Sequence, residues 1–167
     1  MRILGIDPGL QKTGWGIIES VGSSLQYIAS GTIKTQAKEA TPKRLAYIDK
    51  ELEKIIEAFS PDTAAVEETF INADPQSAIK LGQARGIALV VPARNGLSVG
   101  EYAANKVKKS VVGAGHAGKQ QVGMMIKVLL PKAGKLGEDE ADALAIAICH
   151  AHHKPVKERI ENIWPIP

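Results

Sequence analysis

Three short apolar segments of this chain each meet acid at one end, and that pairing limits what it can fold into. Ile3-Leu4-Gly5-Ile6 runs into Asp7-Pro8-Gly9, and Thr63-Ala64-Ala65-Val66 runs into Glu67-Glu68. Short apolar runs bounded by turn formers predict buried strands. The third segment, Ala/Leu/Ile-rich, opens on Asp139 and Asp142 and predicts a helix. Residues three apart share a helix face, so both acids can aim at one spot. Taken singly, each position also has a structural reading, since helix first turns favour acid and Asp-Pro-Gly is a common turn. Taken together they demand more, because clustered carboxylates are costly to bury and oppose one another's ionisation unless a cation compensates them.

The rest of the chain supplies a framework for such a cluster. Residues 13–20 and 25–35 are rich in Ile, Tyr, Thr and Trp and flank Gly22-Ser23-Ser24, which predicts an antiparallel hairpin. Leu45, Ile48, Leu52, Ile55 and Phe59 recur at helical spacing, with Thr41 as the expected N-cap and Pro42 at the first helical position. Further helices are predicted over 75–91, capped by Asp74, and over 116–130 and 139–153, with a strand over 97–101. The resulting order, β-β-β-α-β-α-β-α-α, is an α/β domain built on a mixed sheet. Residues 1–155 form the predicted domain and 156–167 a C-terminal tail.

Charge is distributed unevenly. Residues 102–137 carry seven lysines and no acid, whereas 138–167 carry six acids against three bases. A one-signed segment beside a carboxylate-rich one fits a phosphate-attracting surface next to a site that needs negative charge; a solvated lysine face is the plainer alternative. No run of about 18 apolar residues predicts a membrane span, and the N-terminal residues do not read as a secretory signal. A lone Cys149 allows no intrachain disulfide, so a cytoplasmic setting is expected. Without a His/Cys cluster, oxygen ligands of this kind select Mg²⁺ or Mn²⁺ over zinc. Two such ions suit phosphodiester hydrolysis.

Several motifs carry a family likeness. Gly5-Ile6-Asp7-Pro8-Gly9 with Thr13-Gly14-Trp15-Gly16, Val66-Glu67-Glu68-Thr69-Phe70, and Lys80-Leu81-Gly82-Gln83-Ala84-Arg85-Gly86 follow one another. Val107-Lys108-Lys109-Ser110-Val111-Val112-Gly113 and the stretch from Asp139 to Ala147 complete the set. In this order, over residues 1–153, they resemble the RuvC family of bacterial Holliday-junction resolvases. The resemblance implies a ribonuclease H-like fold, a five-stranded mixed sheet flanked by helices on both faces. It further implies a homodimeric, Mg²⁺-dependent endonuclease with two ions per site, Mn²⁺ being able to substitute. Such an enzyme nicks two strands of four-way junction DNA symmetrically, in recombination and repair, beside a branch-migration helicase complex. The family's acidic tetrad corresponds to Asp7, Glu67, Asp139 and Asp142. Its strand-separating aromatic corresponds to Phe70, and its phosphate-contacting lysines to Lys108 and Lys119, the latter counted with the catalytic set.

Local alternatives attend these assignments. Side chains alternate along a strand, so only one of Glu67 and Glu68 can face the site, and Glu67 is chosen because the pattern of the resembled family falls there. Glu138 lies four residues before Asp142 and could share its face. Arg85 is assigned to DNA contact, with ordinary surface charge as the alternative. His150, His152 and His153 read as a solvated helix end, and Cys149 as a small core residue. Gly82 and Gly86 suit either a dimer seam or close packing within the chain. Rival functions are a ribonuclease H-like nuclease for RNA–DNA hybrids or flaps, an actin-like phosphotransfer domain and a non-catalytic junction binder.

Overall fold

The computed structural model describes residues 1–68, 74–115 and 118–163, with side chains described as far as His153. Strands β1 (Arg2–Asp7), β2 (Lys12–Val21) and β3 (Ser24–Lys34) form an antiparallel meander. Strands β4 (Thr63–Glu68) and β5 (Ser98–Ala103) extend it in parallel from the other edge of β1, giving the order β3-β2-β1-β4-β5. Both parallel pairings are bridged by helices, as a parallel crossover requires: α1 (Thr41–Phe59) before β4 and α2 (Pro75–Arg94) before β5. After β5 come α3 (Ala104–Val112), α4 (Lys119–Leu129), a 3₁₀ turn at Pro131–Ala133 and α5 (Glu138–Ile163). This is the five-stranded mixed sheet with helices on both faces that the sequence predicts.

Strand alternation sorts the core into two layers. Leu4, Ile6, Ala64 and Val66 point to one face and pack with Ile48, Leu52, Ala84, Ala88 and Val91 of α1 and α2. Ile3, Ala65 and Tyr102 point to the other, against Leu144, Ala147 and Ile148 of α5 with Val107, Val111, Val122 and Ile126 of α3 and α4. Helix α5 is sandwiched between sheet and outer helices, and residues 143–151 are all buried. Gly5 makes that approach possible: a Cβ there would come within 2.1 Å of the Ala143 carbonyl oxygen.

Local details differ from expectation. Helix α1 starts at Thr41 and is capped by Ala40 without a side-chain hydrogen bond, so Thr41 is not the N-cap. Asp74 does cap α2, accepting from the Ser77 backbone N–H at 3.0 Å, and α2 continues past residue 91 to Arg94 with Pro92 in its last turn. Helix α3 is absent from the sequence reading, because only Val107 and Val111 mark its buried side. Helix α5 begins at Glu138 and extends past residue 153 to Ile163. His150 therefore lies well inside it rather than at a solvated end. It is buried, with ring nitrogens 2.9 Å from the Tyr102 hydroxyl and 3.0 Å from Thr63 Oγ1. Cys149 is a buried core residue, as expected.

Candidate active site

Asp7 and Glu67 occupy the carboxyl ends of the two central parallel strands. The β1–β4 ladder ends at Ile6↔Val66, which makes them lateral neighbours. Asp7 shares a face with Ile3 and Gly5, and Glu67 with Ala65, so both look toward α5. Glu68 takes the opposite alternation.

From above, α5 brings its first turn over the strand ends. A Cβ on Gly14 of β2 would lie 2.1 Å from the Asp139 carbonyl oxygen, so only glycine lets the helix start so close to Asp7, which pairs with Gly14. Asp142 then joins the strand carboxylates. A cavity of about 320 Å³ is lined by Asp7, Glu67, Asp142, Lys108 of α3 and Lys119 of α4, closed below by Val107, Val122 and Ile146. Asp139 stands beside it, near enough for its charge to act on Asp7 and Asp142.

The electrostatics are those of an under-compensated acid cluster. Desolvation, reinforced by the charges of Glu67, Asp142 and Asp139, pushes the Asp7 carboxyl up to about 7. Burial also raises Glu67, with Asp142 adding to it, and burial raises Asp142. Lys108 and Lys119 oppose the shift of Glu67 and Asp142, and Lys119 that of Asp7. Among the described residues, no three acidic, His or Cys side chains are drawn together tightly enough to enclose a metal ion. Asp7 and Glu67 nonetheless stand close enough for a side-chain hydrogen bond, which acts to lower Glu67 against its burial. The donor set itself is all carboxylate oxygen, which fits a hard divalent cation.

The remaining sequence-predicted residues fall as follows. Lys119 is exposed and ion-paired with Glu138, which thereby turns toward solvent and α4. Arg85 is half-buried on α2, on the sheet face away from the pocket, with its guanidinium engaged by protein groups. Phe70 lies outside the described residues. The glycines at 5 and 14 that admit α5 were quoted in motifs without a structural role; small residues repeated in β1 and β2 were the available signal.

Residues 3–150 match the family described as crossover junction endodeoxyribonuclease RuvC. The chain belongs to the RuvC family. It is 56% identical over 160 residues to the RuvC of Paramagnetospirillum magneticum, covering 96% of each chain. With the Mesorhizobium japonicum RuvC it shares 58% identity over 154 residues, 92% of this chain and 91% of the relative. Thermus thermophilus RuvC, solved in complex with a Holliday junction substrate, superposes with a TM-score of 0.88 at 32% identity, covering 94% of this chain and 96% of that one. The yeast mitochondrial Holliday junction resolvase (TM-score 0.68, 12% identity, covering 96% of this chain and 83% of that one) shares the ribonuclease H-like fold. Among the described residues no helix of this RuvC chain is long and apolar enough to cross a membrane.

Proposed function

We propose that this chain is a structure-selective endodeoxyribonuclease that resolves four-way (Holliday) junctions by paired symmetric nicks. The observation that carries the reading is the meeting of carboxylates from β1, β4 and α5 with two lysines in one solvent-open pocket. Family membership supports the substrate class, through relatives named as crossover junction endodeoxyribonucleases.

Asp7, Glu67, Asp139 and Asp142 are the residues that would hold divalent cations, two Mg²⁺ per site in our reading, with Mn²⁺ able to substitute. Bound there, such ions supply a water acidified toward neutrality and charge neutralisation at the scissile phosphate. The chain's own contribution is placement. Asp7 and Glu67 are set by paired strands, Asp139 and Asp142 by one helix turn, and the apolar floor of Val107, Val122 and Ile146 limits water beneath them. Lys108 and Lys119 reach the same cavity and offset phosphate charge as a DNA strand enters. We assign Phe70, next to the end of β4, to stacking on a base opened at the crossover.

The homodimer we propose uses α2. Ile79, Gly82, Gly86 and Val90 fall on one stripe, Ile79 and Val90 are 62% and 55% exposed, and among the described residues a Cβ at either glycine meets nothing within 4 Å. Packing among the described residues therefore gives no reason for those glycines, whereas a second copy of α2 does. Two-fold symmetry would set one pocket on each of two junction strands. We place the nuclease in residues 1–155, with 156–167 as a tail, and expect it to work in the cytoplasm beside a branch-migration helicase.

The test is a cleavage panel of synthetic four-way junction, linear duplex, flap and RNA–DNA hybrid, with and without Mg²⁺. Paired nicks confined to the junction and dependent on the cation are expected. Preferential cleavage of the hybrid or flap would overturn the substrate, and binding without any cleavage would overturn the enzyme.

A further inference from the structure

We propose that Arg85 is a positioning residue that anchors the Glu67 peptide from the sheet face opposite the pocket, and so aims Glu67 at the metal site. The inference rests on the metal-dependent reading above. The β1–β4 ladder stops at Val66, so Glu67 stays in register with Tyr102 of β5 but stands one residue past the last pairing on its β1 side. Arg85 supplies a hold at that point. Its Nε donates to the Glu67 carbonyl oxygen at 3.0 Å, and its Nη2 pairs with Glu101. Glu101 pairs in register with Val66 on β5, so one planar guanidinium ties α2 to both strands. Fixing a carbonyl fixes its peptide plane, and with it the direction from which the Glu67 side chain leaves the backbone.

Burial and location favour this role over DNA contact. The Arg85 side chain is 23% exposed against 45% for Glu101, so the guanidinium is the more enclosed partner. Helix α2 packs on the layer containing Val66, whereas the pocket opens on the layer containing Ala65. An arginine reaching a phosphate in the pocket would have to leave both partners and cross the sheet. Groups that orient a metal ligand without touching the ion typically change metal affinity or activity 10–100-fold when removed.

The experiment reads metal and DNA separately. Free Mn²⁺ is measured by electron paramagnetic resonance against the DNA-free protein, and junction binding by anisotropy in EDTA, for wild type, R85K, R85Q, E101Q and D7N. R85Q is expected to weaken Mn²⁺ binding about 10-fold, and E101Q about 3-fold in the same direction. R85K is expected to fail to rescue, because an ammonium cannot span both acceptors. Junction affinity in EDTA should stay within about 2-fold for all three. If R85Q does not fold, E101Q carries the test, since it leaves the arginine in place. Weakened junction binding with unchanged Mn²⁺ binding would assign Arg85 to DNA and overturn the role. Unchanged Mn²⁺ binding in R85Q and E101Q, with D7N defective, would overturn the role alone. D7N binding Mn²⁺ as wild type does would overturn the metal reading and this role with it.

Discussion

Gly14 and Asp139 touch backbone to backbone: a Cβ added at Gly14 would sit 2.1 Å from the Asp139 carbonyl oxygen and 3.1 Å from its Cβ. The helix that carries two of the four acids is thus seated by the absence of a side chain on the strand beneath. G14A should push the α5 N-terminus away from Asp7. Because the rest of α5 stays buried against the sheet, the loss should fall on chemistry more than on folding. We expect cleavage to drop at least 10-fold at saturating Mg²⁺, with a melting temperature reduced by only a few degrees. Equal cleavage by G14A and wild type would show that the Asp139 position does not depend on this contact.

The raised Asp7 carboxyl makes a prediction about pH. Its folded value of about 7 exceeds its ordinary 3.8, so above pH 4 the folded state holds a proton that the unfolded state has released. Stability of the metal-free protein must therefore fall as pH rises from about 4 to about 7 and level off beyond. The difference between those values corresponds to roughly 4 kcal/mol as a ceiling at alkaline pH. D7N removes this charge and should raise the melting temperature of the EDTA-treated protein at pH 8, with much less gain at pH 5. Mg²⁺ should stabilise wild type at pH 8 more than D7N. Parallel pH profiles for the two proteins would contradict the assignment of the strain to Asp7.

Much of this was legible because the signals were local. An apolar run ending in acid marked both β1 with Asp7 and β4 with Glu67-Glu68; alternation allowed only one of that pair to face the site, and the family resemblance chose Glu67. Helical spacing put Asp139 and Asp142 on one face. What escaped depended on contacts between distant segments. Helix α3 offers two buried valines in nine residues, too little periodicity to stand out beside its lysines. His150 was read as solvated because α5 was ended ten residues early, yet Ala143 through Cys149 contains no polar residue, the mark of a helix covered on every side. Arg85 flanks the Ala84–Ala88–Val91 stripe, and nothing in the amino-acid order distinguishes an arginine turned toward a strand end from one turned toward solvent.

Lys119 and Glu138 form an exposed pair at the mouth of the pocket, and the two should behave oppositely on substitution. K119A removes a cation that acts on Asp7 and Asp142 and that would face phosphate. We expect 10- to 100-fold slower cleavage and a salt dependence of junction binding shallower by about one phosphate contact. E138Q should leave the cleavage rate within about 3-fold and strengthen binding slightly, because it frees the lysine and removes a negative charge. Slower cleavage by E138Q than by K119A would move the catalytic assignment from the lysine to the glutamate.

Gly82 and Gly86 test the dimer with an unusual sign. Among the described residues, nothing beyond the helix's own nearby backbone lies within 4 Å of where a Cβ would stand on either, and both sit inside α2, where glycine is disfavoured relative to alanine by roughly 1 kcal/mol each. Alanine at both should therefore stabilise the fold of the isolated chain. If α2 is the seam, the added methyl groups separate two helix backbones and weaken association, and G86R should abolish it. The expected result is a protein that melts no lower than wild type but sediments as a monomer and nicks only one junction strand per encounter. Sedimentation of G86R as an intact dimer would place the seam elsewhere and leave the exposed Ile79 and Val90 stripe without its partner.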